Sequence, residues 1–179
     1  MRLDNLKVVA KAMHFEVEFI PAKTEDNVLA SLARFGVPVA HSKGGNLSFE
    51  DTVKESLLKA REDGAYEAFV PFLLVKSATR VNPLRLAAKG FEANQVNTLG
   101  YFVEMANVFR RHPRFGRLLD LLTAAKNPQT EFLLTTNKTG FPELFEKNHL
   151  ALKWNLKVRG TVEDHMRRWA KWAKSPKNN

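Results

Sequence analysis

The spacing of apolar and polar residues predicts a chain made mostly of helices. Apolar residues at helical spacing over residues 3–13 predict a first helix, and the alternation from Met13 to Phe19 predicts a half-buried strand. Thr24 is a suitable cap for a helix that runs through Arg34, and Gly36 supplies its stop. The first part of the chain is therefore expected to form a helix, a strand and a second helix.

Capping signals mark two helices in the middle of the chain. Ser48, with Asp51 three residues later, forms a capping box ahead of an amphipathic helix that stops at Gly64. Asn82 followed by Pro83 predicts the cap and first turn of another helix. In both cases the residue types satisfy backbone N–H groups that a helix start would otherwise leave unpaired.

The segments around these two helices are predicted by their apolar spacing alone. Tyr66–Lys76 is short, apolar and interrupted by Pro71, which leaves a buried strand and a kinked core helix as alternatives. Helical spacing predicts a helix over residues 94–110, a break at Pro113, and a further helix over residues 115–126.

The last third of the chain contains the strongest strand pattern. A short strand is expected over residues 131–136 and a short helix over residues 142–148. Alternation over residues 150–159 predicts the clearest strand of the chain, whose polar face carries Lys153, Lys157 and Arg159.

A second capping box, Thr161 with Asp164, predicts a final helix through Lys174 that buries Val162, Met166, Trp169 and Ala173. These elements give an α+β fold class, as a helix-dominated single domain with a few short strands. Residues 1–160 are expected to form the α+β core domain. Residues 161–179 are expected to form a basic C-terminal helix and tail, packed on that core or extending from it.

Composition changes this picture mainly through charge. The chain has 28 Lys and Arg against 19 Asp and Glu, a net charge of +9. Residues 1–90 hold 13 basic and 11 acidic side chains, whereas residues 91–179 hold 15 and 8, so the net charges are +2 and +7. A basic half of this kind favours polyanionic partners such as nucleic acid.

The sequence also predicts a compartment. It contains no cysteine, which excludes disulfides and thiolate chemistry and fits a reducing environment. The first 21 residues carry no export signal, and no apolar run approaches the roughly 20 residues of a membrane span. A cytoplasmic protein that does not bind membranes is expected.

No combination of residues predicts a catalytic site, a metal site or a cofactor. The histidines lack partners at metal-ligand spacing and are expected to be solvated or singly hydrogen-bonded: His14, His41, His112, His149 and His165. No serine lies in a nucleophile elbow. Glu50 and Asp51 would repel a phosphate from the Gly44-Gly45 loop that precedes them. Glu16 and Glu18, on one face of the first predicted strand, leave a metal-dependent nuclease open.

Two basic clusters are the candidate nucleic-acid-binding residues. The first joins the polar strand face to the final helix, where a stripe of cations follows helical spacing. It comprises Lys153, Lys157, Arg159, Arg167, Arg168, Lys171 and Lys174, with Trp172 beside the stripe. The second comprises Arg110, Arg111, Arg114 and Arg117.

Both clusters also have structural interpretations. Trp172 either stacks on a base or packs under the edge of its helix. The arginines around Pro113 either bind phosphate or neutralise the end of a helix. A helix–turn–helix over residues 84–109 is a further alternative, although its second helix begins without Arg or Lys.

Two short segments resemble a known family. Leu99-Gly100-Tyr101-Phe102-Val103-Glu104 is similar to the Leu-Gly-Tyr-Leu-Leu-Glu segment of type IV (abortive-infection) antitoxins. Lys153-Trp154-Asn155-Leu156-Lys157-Val158-Arg159 resembles the Arg-Trp-x-x-x-Val-Asn strand that ends several of those domains.

The resemblance implies a DNA-binding, autoregulatory antitoxin that has no catalytic residues and whose counterpart is a nucleotidyltransferase toxin. Two features depart from the family. Residues 1–45 show no winged helix, and Arg159 stands where the family has Asn.

The leading hypothesis is a non-enzymatic protein that binds DNA or RNA, or an assembly containing them, through its C-terminal half, with an antitoxin-like regulator as the narrower form. Two alternatives remain open: a protein–protein interaction module that docks on an acidic partner, and a metal-dependent nuclease.

Overall fold

The computed structural model describes residues 25–39, 44–134, 145 and 147–174. Several expectations lie outside the described residues. They are the helix over residues 3–13, the strand over residues 13–19 with its two glutamates, the Thr24 cap, the end of the strand over residues 131–136, most of the helix over residues 142–148, and the tail after Lys174.

Helices dominate the described residues. The helices are α1 (Glu25–Arg34), α2 (Phe49–Lys59), α3 (Tyr66–Lys76), α4 (Pro83–Glu92), α5 (Val96–Phe109), α6 (Pro113–Ala124), α7 (His149–Lys153) and α8 (Val162–Lys174), with a 3₁₀ turn at Ala78–Arg80. The strands are β1 (Glu131–Phe132) and β2 (Leu156–Lys157). They pair in parallel, Glu131 beside Leu156 and Phe132 beside Lys157. The expectation of a helix-dominated fold is confirmed.

The helix starts follow the capping residues that the sequence predicts. The Ser48 hydroxyl accepts a hydrogen bond from the Asp51 N–H at 3.1 Å and donates one to the Asp51 carboxylate at 2.6 Å. The Asn82 side chain accepts from the Arg85 N–H at 3.2 Å, and Pro83 occupies the first helical position. These caps satisfy backbone donors that the first turn leaves free, so α2 and α4 begin where predicted.

The core is built around α5, which packs against α3, α4, α6 and α7. Its side chains from Leu99 to Val103 are buried on every face. The apolar segment Tyr66–Lys76, which the sequence left open between strand and helix, is the helix α3 with Pro71 inside it. A helix that is apolar all round is buried, and α3 accordingly lies in the middle of the molecule.

The strand expected over residues 150–159 is wrong for most of its length. Residues 149–153 form the helix α7, and only Leu156–Lys157 is extended and paired. The Asn148 side chain caps α7 by accepting from the Ala151 N–H at 3.0 Å. Asn155 then adopts a left-handed conformation with φ 53°, which turns the chain into β2. The alternating pattern therefore coincides with a short helix, a turn and a two-residue strand.

Candidate functional site

The final helix α8 is attached to α3 by two tryptophans. Trp169 is buried, and its indole N–H donates to the Ala68 carbonyl at 3.2 Å. Trp172 is half-buried, with its ring stacked on Phe69 at 5.8 Å between centroids. Trp172 thus takes the packing role that the sequence left as an alternative to base stacking. Met166, expected to be buried, is 41% exposed, so that expectation is wrong.

The attachment of α8 to α3 leaves the basic side of α8 open. The side chains of Arg167, Arg168 and Lys171 are exposed. The side chain of Lys174 lies outside the described part of the structure. Arg167, Arg168 and Lys171 border an open cleft of about 530 Å³, together with the start of α3 and the turn before α8. The cleft is lined by Gly64, Glu67, Gly160, Asp164, His165, Arg167, Arg168 and Lys171.

Two ionisable side chains lie at the floor of this cleft. Glu67 from α3 is 8% exposed and His165 from α8 is 4% exposed. The His165 Nε2 atom is 3.7 Å from the Glu67 Oε2 atom, beyond hydrogen-bond distance. Neither ring nitrogen of His165 has a hydrogen-bond partner among the described residues. The expectation of a solvated or singly hydrogen-bonded histidine is wrong at this position.

Gly160 fits closely against this histidine. A Cβ atom at residue 160 would lie 3.0 Å from the His165 Nε2 atom, so a larger residue would have to push the ring or the backbone aside. The Gly160 carbonyl is held by the Asn148 side-chain N–H at 2.6 Å. The backbone before α8 is therefore fixed beside the imidazole.

Burial favours the neutral forms of both floor residues. Removal from water raises the pKa of Glu67 to about 7, although the Arg168 guanidinium opposes this rise. Removal from water also lowers the pKa of His165 to about 4, and Arg168 adds to that decrease while Asp164 opposes it. Near neutral pH the imidazole is therefore uncharged, and the carboxyl lies close to its midpoint.

The rim of the cleft is more basic than its floor. Asp164 belongs to the capping box, accepting from the Thr161 hydroxyl at 2.8 Å, and pairs with Arg167 at 2.9 Å. Thr161 and Arg167 hold the pKa of Asp164 below its usual range. Within the described residues, Arg168 and Lys171 have no ion-pair partner. Arg168 and Lys171 are therefore the cations on the rim that are available to bind an anionic ligand.

The remaining cations of the first cluster do not join this rim through a shared strand face. Lys153 ends α7 and forms an ion pair with Glu104 at 2.5 Å. Lys157 lies over the Phe132 ring, and Arg159 lies over the Phe145 ring. The single strand face expected to carry all three is wrong, because Lys153 belongs to a helix.

The two segments that resemble antitoxins contact each other. Glu104 accepts a hydrogen bond from the Trp154 indole N–H at 2.7 Å. Gly100 faces the same indole, and a Cβ atom there would come within 2.2 Å of the ring. The Tyr101 hydroxyl accepts a hydrogen bond from Asn148 at 2.9 Å. Within the described residues, both segments thus have clear packing roles.

The second cluster divides into two parts. Arg110 and Arg111 are exposed just after Phe109, whose ring contacts Trp169 of α8. Arg114 instead donates to the carbonyls of Thr79 and Val81, which fixes the chain before α4. The first part therefore directly follows a residue that contacts α8, and Arg114 has a structural role.

Arg117 lines a separate groove of about 700 Å³ between α6 and the start of α4. Leu84, which is 71% exposed, and Leu121 contribute apolar surface to this groove. Asp120 also lines the groove, which therefore combines apolar side chains with both basic and acidic ones.

Sequence reasoning missed the two floor residues, although each left a signal. Glu67 is the lone acid in the apolar run of α3. His165 occupies the same helical stripe as Val162, Trp169 and Trp172, which is the buried side of α8. A charged or polar residue at a core position is the informative exception in such patterns.

Within the described residues there is no group of three or more metal-ligating side chains that could hold a metal ion. None of the helices in the described part of the chain is long and apolar enough to cross a membrane. The comparisons with known proteins are negative: no family model, no curated protein and no solved structure matches this chain.

Proposed function

We propose that this protein binds nucleic acid, without catalysing a reaction on it, through the basic rim of the α8 cleft. The observation that carries the proposal is the open position of Arg168 and Lys171 beside a cleft, with no ion-pair partner among the described residues. Cations of this kind bind phosphate because they release the counterions that surround a nucleic acid backbone.

Further cations lie close in sequence to α8 or to residues that contact it. Arg110 and Arg111 are exposed and follow Phe109, whose ring contacts Trp169 of α8. Lys174 follows Lys171 on the same helix, and Arg159 directly precedes the cleft residue Gly160. A phosphate backbone that follows α8 would meet several of these side chains in turn, which gives affinity without sequence specificity.

We further propose that the mostly helical fold belongs to the α+β class, on the basis of its paired strands. We also propose a cytoplasmic location, which a chain without cysteine fits. The narrower proposal is an antitoxin-like regulator. Its support is that the two segments similar to antitoxins pack against each other through the Trp154–Glu104 hydrogen bond.

The test is a charge reversal with a matched control. Arg168→Glu is expected to weaken the binding of short labelled DNA or RNA by about tenfold or more at low salt, because it removes a phosphate contact and adds repulsion. Fluorescence anisotropy measures the affinity. Arg85→Glu makes the same change of charge on α4, which packs against α2, α5 and α6, and should have little effect.

Equal affinities for wild type and Arg168→Glu would overturn the assignment of the rim. A common loss in both variants would mean that the total charge matters and the cleft does not. Absence of binding by wild type to any single- or double-stranded probe would overturn the proposed function itself.

A second candidate function is docking of an acidic protein partner. The groove with exposed Leu84 and Leu121 next to Arg117 favours it, because apolar anchors beside a basic side chain suit an acidic amphipathic segment. Nuclease treatment of the purified protein distinguishes the two functions, since it releases partners held through nucleic acid and leaves those held through this groove.

A further inference from the structure

Phosphate binding by the rim does not account for the floor of the α8 cleft. A carboxyl group at this position would repel a phosphate that entered deeply, so the phosphate contacts belong to the rim. The Glu67 side chain, 11% exposed, lines the cleft, and no described residue donates a hydrogen bond to its carboxylate within the usual distance. The floor therefore offers acceptors to a ligand that carries donors.

The buried histidine is a second, independent sign of a built site. His165 is almost fully buried, lines the same cleft, and has two ring nitrogens without partners among the described residues. A buried polar group without a hydrogen bond costs free energy comparable to a lost hydrogen bond, so such groups in folded proteins are usually explained by function. Its Nε2 atom lies next to the Glu67 carboxylate, where an added donor or acceptor would reach both groups.

The chemistry of the floor and the rim together matches one nucleotide. An ionised carboxylate accepts two parallel hydrogen bonds from a group with two adjacent N–H donors. Guanine presents such a pair on its Watson–Crick edge, N1–H and N2–H, whereas adenine, cytosine and uracil each present a single donor beside acceptors. That edge is accessible only in an unpaired nucleotide, whose base can leave the stack.

We propose that the α8 cleft binds a single unpaired guanine nucleotide. The Watson–Crick edge of the base donates to Glu67, and Arg168 and Lys171 hold the phosphates of the nucleotide. The volume of about 530 Å³ lies in the range of small-molecule sites. The proposal rests on the proposed function, because the rim that binds the phosphates is the same. It adds a base preference and a requirement for a single strand.

The experiment compares two single-stranded oligonucleotides at about pH 8, where the Glu67 carboxyl, with a pKa of about 7, is mostly ionised. One is a uridine homopolymer, and the other is the same strand with one central guanosine. Wild type is expected to bind the guanosine strand about tenfold more tightly. Glu67→Gln should lose this preference and keep the affinity for the homopolymer, because the amide offers one acceptor and no charge.

A titration without any variant keeps the proposal testable if Glu67→Gln folds poorly. GMP, AMP and inorganic phosphate are added separately to wild type, and the side-chain nitrogen signals of His165 are followed by NMR. GMP is expected to shift them more than AMP does, and phosphate alone is expected to leave them unchanged.

The outcomes separate this inference from the proposed function. Equal binding of both strands by wild type, or an unchanged preference in a folded Glu67→Gln variant, would overturn the guanine site while leaving nucleic acid binding intact. Equal responses of His165 to GMP and AMP would do the same. Failure of wild type to bind either strand, with binding to a duplex probe retained, would overturn the guanine site alone. Failure to bind any single- or double-stranded probe would overturn both proposals.

Discussion

At the scale of single residues, Glu67 makes the stability of the protein depend on pH. The carboxyl is protonated up to about pH 7 in the folded chain but ionises near 4.5 when exposed. Between these values the folded state holds the extra proton, so the contribution of Glu67 to the free energy of unfolding falls as the pH rises. The Arg168 guanidinium opposes the rise in the pKa of Glu67 without cancelling it. His165, whose pKa burial lowers to about 4, contributes the opposite dependence between about pH 4 and pH 6.5, because there the unfolded chain binds the extra proton. A comparison of wild type with a Glu67 variant therefore isolates the contribution of Glu67.

Glu67→Gln is expected to remove this loss. The stability of the variant relative to wild type should rise by about 3 kcal/mol between about pH 5 and about pH 8. The reason is that burial raises the pKa of Glu67 from 4.5 to about 7, and each unit corresponds to about 1.4 kcal/mol. Urea denaturation at the two pH values measures it. Glu62→Gln replaces an exposed carboxyl nearby and should show little change. A constant difference between Glu67→Gln and wild type across this range would contradict the burial of an ionisable carboxyl.

Gly100 supplies a second prediction at this scale. Because a Cβ atom at this position would overlap the Trp154 ring, Gly100→Ala is expected to destabilise the protein by about 2 kcal/mol through overpacking. Gly116→Ala on α6 is the matched control: nothing lies within 4 Å of its Cβ position, so helix propensity should leave it neutral or more stable. Thermal unfolding of both variants tests the contact, and a stable Gly100→Ala would place the indole elsewhere.

At the scale of elements, Asn148 connects three parts of the fold. It caps α7 through the Ala151 N–H, and its amide donates to the Tyr101 hydroxyl and the Gly160 carbonyl. Since Asn148 is fully buried, these bonds have no replacement from solvent. The position of α7, the centre of the core and the turn before α8 therefore depend on one side chain.

Asn148→Ala is expected to cost about 3 kcal/mol or more, because it removes a cap and leaves a buried hydroxyl and a carbonyl unpaired. Ser48→Ala, which removes the exposed cap of α2, should cost about 1 kcal/mol. Chemical denaturation compares the two. Similar losses for both variants would show that the network around Asn148 adds nothing beyond an ordinary cap.

Helices and strands could be predicted from the sequence where residues close together in the chain determine them. The helix starts at Ser48, Asn82 and Thr161 follow from side chains that bond to backbone donors three residues away, and a sequence displays such pairs directly. The segment after Asn148 was not predictable in this way. A helix of five residues followed by the left-handed Asn155 is too short to show a helical period, so its apolar pattern cannot be distinguished from that of an alternating strand.

The same distinction applies to the site. The exposed position of Arg168 and Lys171 follows from the periodicity of a single helix. The neutralisation of Lys153 does not, because its partner Glu104 is distant in sequence and reaches it only through the packing of α7 on α5. The proximity of Glu67 and His165 likewise depends on two helices that meet only in the folded chain.

At the scale of the whole molecule, the excess charge of the C-terminal half separates into cations that are free and cations that are occupied. Arg114 is hydrogen-bonded to two carbonyls, and Lys153 is paired with Glu104. Arg168 and Lys171 have no ion-pair partner among the described residues, and Arg110 and Arg111 lie exposed next to α8. The net charge of +9 therefore overstates how many cations remain available to a ligand, since some of them are held by carbonyls or carboxylates of the protein itself.

The dependence of binding on salt measures how many cations neutralise phosphates. Replacing Arg168 and Lys171 with alanine is expected to reduce the slope of log K against log salt by about 0.7–0.9 for each phosphate that is no longer neutralised. Arg110→Ala with Arg111→Ala is expected to reduce it as well, because both arginines are exposed and follow Phe109, whose ring contacts Trp169 of α8. Arg114→Ala should lower stability and leave the slope unchanged, because its guanidinium holds protein carbonyls. A slope that responds to Arg114 and not to Arg168 would move the binding face from α8 to the start of α6.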